Sequence, residues 1–170
     1  KKYPNAEIYN LEISDKMIEI FKKKFPKEHI DKLSFKRLKF KDNFFDLIIS
    51  LETIEHTPNP DIYLDELNRV LIKNKNLILS CPSAFSEIVL NIYEAFFDNH
   101  GEGPHRFMSS REMKRKFTKT GFELKDHQGF IMFPVVGKIS KFINRIIEIV
   151  FNKIYLSDFG IRQFYFVRKR

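Results

Sequence analysis

Apolar and polar positions follow two periods along the chain, and the periods alternate. Residues 6–13 alternate apolar and polar side chains, as a strand does. Residues 45–50 and 77–81 are apolar on both sides, which is typical of parallel strands buried on two faces. Several intervening segments repeat apolar residues every three or four positions, as amphipathic helices do. This alternation predicts an α/β fold with a doubly wound, mostly parallel sheet.

Capping and turn residues delimit the other elements. Ser14 and Asp15 are suited to start a helix, and Pro26 ends it. Asn74 lies in a turn before the strand at 77–81, where asparagine tolerates a left-handed backbone. Further helices are predicted over 61–71, 84–97, 109–120 and 138–156, and further strands over 33–38, from 122 onward and over 163–168.

Composition restricts the class of protein. The 170 residues suit one domain, and 43% of them are hydrophobic, which is enough for a sizeable core. The net charge of +8 is compatible with nucleic acid, anionic lipid or acidic small molecules, but the lysines are scattered, so we expect no specific nucleic-acid binding. The single cysteine, Cys81, excludes an internal disulfide and a cysteine-cluster metal site. We predict a buried thiol, no metal and a cytoplasmic location.

Glu12 is the first candidate for chemistry. It ends a predicted strand and is followed at once by a capped helix. In doubly wound folds an acid at this position accepts hydrogen bonds from ribose hydroxyls. A solvated glutamate at the end of a strand is the alternative interpretation.

Six motifs follow one another along the chain. They are residues 9–14, 40–50, 51–56 with Asn59-Pro60, 66–71, 77–83, and His105-Arg106-Phe107 with Glu112-Met113 and 119–123. Their order and spacing resemble those of class I S-adenosylmethionine-dependent methyltransferases of the small-molecule type. The resemblance extends over about residues 6–129 and implies a Rossmann-like fold with S-adenosylmethionine as cofactor. It implies methyl transfer to a small-molecule acceptor, either soluble or lipid-linked.

The resemblance also implies roles for individual residues. Glu12 would bind the cofactor ribose, Ile13 would pack on adenine, and Ser50 with Leu51 would line the methionine part. A general base is needed if the acceptor must lose a proton, and two histidines are candidates.

His56, in the loop after the strand at 45–50, and His105, in a loop that usually covers substrate, are these candidate bases. His56 has the alternative of bracing its loop. His105 and Arg106 would bind an acidic group of the substrate, or form a solvated pair.

Three departures from the family pattern change the prediction. No glycine precedes Glu12, so the glycine-rich loop and the first strand are missing. The acid that usually follows the third strand is absent, since Arg37 runs into Leu38. Asn74 stands in the usual Pro-Gly-Gly turn. We therefore expect residues 1–170 to be a partial methyltransferase domain, whose missing strand belongs to an N-terminal segment of the same protein.

The predicted helix over 138–156 is an insertion between the last two strands. It is amphipathic and carries basic residues, so it either packs on the core or lies on a membrane surface, which would make the protein membrane-peripheral. Three other functions compete with a small-molecule methyltransferase. A non-catalytic scaffold with the same fold is the main alternative. A nicotinamide-dependent oxidoreductase and a nucleic-acid methyltransferase fit the motifs less well.

Overall fold

The computed structural model of the protein describes residues 5–84, 86–87, 106–130 and 156–170. They belong to two compact units, residues 1–39 and 40–170. Of the helix predicted over 84–97, only Ala84, Ser86 and Glu87 are described, and they are helical. The insertion predicted over 138–156 lies outside the described residues, except for Leu156, which begins a 3-10 turn.

The first unit contains a parallel strand pair and one helix. Strand β1 (Asn10–Glu12) is followed by α1 (Asp15–Lys24) and β2 (Ile30–Lys32), and Asn10 pairs with Ile30. Ser14 caps α1 as predicted, since its hydroxyl accepts the Met17 amide at 3.4 Å.

The prediction of a strand over 33–38 is wrong. Pairing between β1 and β2 ends where the Leu33 amide donates to the Glu12 carbonyl at 2.8 Å, and bends follow. Residues 33–36 still alternate between half-buried and exposed. Alternation therefore indicates here which side chains face inward, although residues 33–36 lie outside the described strands.

The second unit contains a four-stranded mixed sheet. Its strands are β3 (Phe45–Leu51), β4 (Leu71–Pro82), β5 (Phe122–Phe130) and β6 (Arg162–Lys169), in the order β3-β4-β6-β5. Strands β3 and β4 are parallel, whereas β6 is antiparallel to both β4 and β5. The α/β class is confirmed, with antiparallel pairing in the second half of this sheet.

Two described helices of this unit begin after residues whose side chains accept backbone hydrogen bonds. Helix α2 (Pro60–Val70) starts after Asn59, whose side-chain oxygen accepts the Asp61 amide at 3.1 Å. Helix α3 (Ser110–Lys119) starts after Ser109, and Gly121 follows it with a φ of 82°. The fully buried side chains include Leu64, Val70, Leu77, Leu79, Met113, Phe117, Tyr165 and Val167. Among the described residues, no helix is both long and apolar enough to cross a membrane.

Arg69 fixes the start of β3 against α2. Its guanidinium, 16% exposed, donates to Glu66 at 2.6 Å, to Asp42 at 2.5 Å and to the Phe40 carbonyl at 2.9 Å. The Glu66 side chain is only 6% exposed, so Arg69 supplies the positive charge that this buried carboxylate requires. The contacts set where β3 begins and hence where its carboxyl end lies.

Strand β3 carries an unusually exposed apolar set. Leu47, Ile49 and Leu51 are 48%, 58% and 53% exposed. Among the described residues β3 pairs only with β4. A run predicted to be a central strand is thus an edge strand of the described sheet, with apolar side chains facing solvent.

Candidate functional site

The carboxyl end of β3 presents polar side chains that pack against α2. Ser50 is buried, and its hydroxyl lies 3.2 Å from the Tyr63 hydroxyl. Burial raises the pKa of Tyr63 to about 12, so this phenol stays protonated at neutral pH. Leu51, the next residue, is exposed.

Glu52 follows β3 with a left-handed backbone, at a φ of 48°. Its amide donates to the Ser80 carbonyl at 3.1 Å, and its carboxylate accepts the Ser80 hydroxyl at 2.6 Å. The second carboxylate oxygen lies 3.1 Å from the Arg162 guanidinium. Strained non-glycine residues cluster at functional sites, and contacts from β4 and β6 hold this one in place. The strain is invisible in the sequence, so Glu52 was missed there.

Glu55 lies one turn further on, in the 3-10 turn Ile54–His56. Its side chain is buried, with the residue 4% exposed, and its Oε2 atom has no hydrogen-bond partner among the described residues. Burial is the main cause that raises the pKa of this carboxyl to about 7; the charge of nearby Glu52 acts in the same direction, whereas a hydrogen bond from the backbone of Glu55 itself and the charge of Arg162 oppose the rise. The Glu55 carbonyl accepts the Arg106 amide at 3.1 Å, which joins two loops here.

Glu12 lies at the carboxyl end of β1 in the first unit. Its Oε1 atom accepts the amide of Ile13 at 2.7 Å and the amide of Ser14 at 2.9 Å. Both Glu12 and Ile13 are half-buried. Two backbone donors therefore fix the carboxylate at the start of α1.

Comparison with known proteins identifies which fold this architecture has. A family model described as a methyltransferase domain matches residues 1–79. A solved SAM-dependent methyltransferase from Thermotoga maritima, with a suggested histamine N-methyltransferase activity, is 22% identical with a TM-score of 0.66; the match covers 95% of this chain and 72% of that one. The chain has the fold of an S-adenosylmethionine-dependent methyltransferase.

Other solved methyltransferase structures also resemble this chain. A SAM-dependent methyltransferase from Mesorhizobium loti is 11% identical with a TM-score of 0.69, covering 99% of this chain and 82% of that one. A suggested sarcosine dimethylglycine methyltransferase from Galdieria sulphuraria is 13% identical with a TM-score of 0.61, covering 96% and 69%. No curated protein matches the chain. The predicted resemblance and the Rossmann-like fold class are confirmed.

The family match and these structures support S-adenosylmethionine as the cofactor. Glu12 fits that group, because a carboxylate held at the end of a strand can accept hydrogen bonds from vicinal ribose hydroxyls. The roles of Ile13, Ser50 and Leu51 stay predictions; the buried Ser50 hydroxyl is already engaged by Tyr63.

Of the residues predicted to act as a base or to bind an acidic substrate group, the structure describes His56 and Arg106. His56 is exposed and ends the 3-10 turn Ile54–His56, while His105 lies outside the described residues. The Arg106 guanidinium is exposed and lies 3.8 Å from the Glu112 carboxylate. Their catalytic and substrate-binding roles stay predictions.

Cys81 lies on β4 with its thiol buried, as predicted. Burial raises the pKa of the thiol, so it stays protonated and is unsuited to act as a nucleophile. In the described part of the chain, no group of three His, Cys, Asp or Glu side chains is arranged to hold a metal ion.

Proposed function

We propose that the protein transfers a methyl group from S-adenosylmethionine to a small-molecule acceptor. The bound cofactor would supply a methyl group on a positively charged sulfur. The observation that carries the proposal is the Glu12 carboxylate, which two backbone amides hold between β1 and α1. This strand-acid-helix unit lies within the segment that the methyltransferase family model matches, at residues 1–79.

Each part of the cofactor would meet one group of residues. Glu12 binds the ribose and Ile13 packs on the adenine, while Ser50 and Leu51 border the methionine part. The protein mainly positions the acceptor against the methyl group, because orientation supplies much of the rate enhancement in such a transfer.

A Glu12→Ala substitution tests the cofactor site. We expect it to weaken S-adenosylhomocysteine binding by about 1–3 kcal/mol, because charge-assisted hydrogen bonds to the ribose are lost. Isothermal titration calorimetry on the full-length protein measures this. Glu12→Gln keeps an oxygen for the Ile13 and Ser14 amides, so it separates loss of charge from loss of these two backbone hydrogen bonds.

Glu19→Ala, on an exposed position of α1, is the matched control and should leave affinity unchanged. Equal affinities of the wild-type and Glu12→Ala proteins would reject the ribose assignment.

The acceptor is proposed to be a small molecule, either soluble or lipid-linked. The Thermotoga and Galdieria structures are named for histamine and for sarcosine with dimethylglycine, all of which carry a basic nitrogen. At 22% and 13% identity those names describe those proteins, not this chain. A lipid-linked acceptor depends on the amphipathic segment 138–156, and co-sedimentation with anionic liposomes at several salt concentrations tests it.

The second candidate function is a non-catalytic partner domain with the methyltransferase fold. The apolar side chains of Leu47, Ile49 and Leu51, exposed on β3, favour it, because exposed apolar edge strands serve as pairing surfaces. The same calorimetry discriminates between the two. Failure of the full-length protein to bind S-adenosylhomocysteine at all would favour the partner domain.

A further inference from the structure

The Glu55 carboxyl is a buried acid without a partner for one of its oxygens. The residue is 4% exposed, and Oε2 receives no hydrogen bond from the described residues. A buried polar atom without a partner costs free energy, so folded proteins rarely keep one without a reason. The environment of Glu55 therefore indicates a missing hydrogen-bond donor.

The charges around Glu55 indicate what kind of donor is missing. Among the described residues, the titratable groups that interact with it are Glu52, Arg162, Tyr63 and Cys81. Tyr63 and Cys81 are neutral, and Arg162 already pairs with Glu52 at 3.1 Å. An ionised Glu55 is thus a negative charge that this cluster leaves uncompensated, and a cation would balance it.

Glu55 also lies where loops meet. Its turn follows the strained Glu52 at the carboxyl end of β3, and its carbonyl accepts the Arg106 amide at 3.1 Å. In open α/β sheets ligands bind beyond the carboxyl ends of the strands. The place of Glu55 in the fold is therefore one where a substrate group is expected.

We propose that the Glu55 carboxylate binds the protonated amine of the methyl acceptor, an inference that rests on the proposed function. An ammonium group supplies both the missing N–H donor and the balancing charge, whereas a hydroxyl supplies only a donor. A divalent metal ion is a poorer fit, because the described residues hold no group of three metal-ligating side chains.

The carboxylate also has a chemical use in this position. An ammonium nitrogen has no lone pair and must lose a proton before it can attack a methyl group. As the new N–C bond forms, the bond between the methyl group and sulfur breaks, and its electron pair stays on sulfur, so that S-adenosylhomocysteine leaves as a neutral thioether. Glu55 can take that proton, because the pKa of its carboxyl, about 7, is close to neutrality. The proton then leaves the carboxyl for solvent, and the carboxylate is restored.

Amine binding to the full-length protein saturated with S-adenosylhomocysteine tests this inference. The probe is n-butylammonium, its uncharged match is n-butanol, and binding is followed by carboxyl ¹³C NMR with labelled glutamate. We expect n-butylammonium to shift the Glu55 resonance and n-butanol to leave it in place. Glu55→Gln should weaken amine binding about tenfold to a hundredfold. Glu87→Gln, at an exposed position of the same unit, is the control and should bind as wild type.

Each outcome has one interpretation. Wild-type protein that does not bind S-adenosylhomocysteine overturns the proposed function itself. Cofactor binding with equal amine affinity in wild type and Glu55→Gln overturns only the role of Glu55. Displacement of the amine from Glu55 by Mg²⁺ at low concentration also overturns it, in favour of a metal site. If Glu55→Gln does not fold, wild-type amine affinity should fall about tenfold per pH unit below about pH 7.

Discussion

The buried Glu55 carboxyl should make the stability of the protein depend on pH in a direction opposite to that of most carboxylates. Folding raises the pKa of this group from 4.5 to about 7, since burial disfavours the charged form. Between these values the folded state holds a proton that the unfolded state has released. The free energy of unfolding therefore falls as pH rises through this window, and it becomes independent of this group above it.

The size of the effect follows from the two pKa values. The full difference is worth about 3 kcal/mol at about 1.4 kcal/mol for each pH unit. Between about pH 5 and about pH 8, wild-type protein should lose about 2–3 kcal/mol relative to Glu55→Gln. The amide that Glu55→Gln introduces carries its own cost of burial, but that cost does not change with pH, so the comparison isolates the carboxyl.

Urea unfolding of wild type and Glu55→Gln at several pH values measures the difference. Glu87→Gln serves as the control, because its exposed side chain should give a curve parallel to that of wild type. A difference between wild type and Glu55→Gln that stays constant from about pH 5 to about pH 8 would refute the reasoning. Glu55 would then be ionised in the folded protein by a partner that compensates its charge.

Two further predictions concern the frame that holds the site. Arg69→Ala should lower the free energy of unfolding by about 3 kcal/mol, because it removes the guanidinium that balances the charge of the buried Glu66 carboxylate, whereas Lys73→Ala at an exposed position should change little; urea unfolding compares them. Asn74 has a φ of 63°, so Asn74→Gly should leave the stability nearly unchanged, whereas Asn74→Val should cost about 1–2 kcal/mol. Thermal unfolding would detect the difference, and equal melting temperatures for the two variants would contradict the left-handed backbone at this position.

The sequence was most informative where local chemistry decides structure. Ser14 and Ser109 cap the helices that follow them, and Asn74 has the predicted left-handed backbone, although it lies within β4 and not in a separate turn. These features depend on a few neighbouring residues, so a single sequence suffices to predict them. The run at 77–81 likewise lies within β4, because its hydrophobicity reflects burial on both faces.

The sequence was less informative where contacts between residues distant along the chain determine the structure. Residues 33–36 alternate like a strand, but the described strand in this part of the chain, β2, covers Ile30–Lys32 instead. Ile62 has the spacing of a core residue on α2 but is exposed. The Glu52 network joins β3, β4 and β6 through Ser80 and Arg162, contacts separated by many residues along the chain. Glu55 was missed because its burial depends on the same long-range packing.

Because of the position of Cys81, the rate at which its thiol is labelled can report how often the sheet opens. The only cysteine of the chain, Cys81, has a buried thiol and lies on β4 opposite Gln163 of β6. A thiol reagent can therefore reach it only after the two strands separate or the core opens. When reclosing is fast, the labelling rate is proportional to the equilibrium population of the open form, as in hydrogen exchange. Slower labelling in the presence of a ligand would therefore measure how strongly that ligand holds the sheet closed, without any introduced probe.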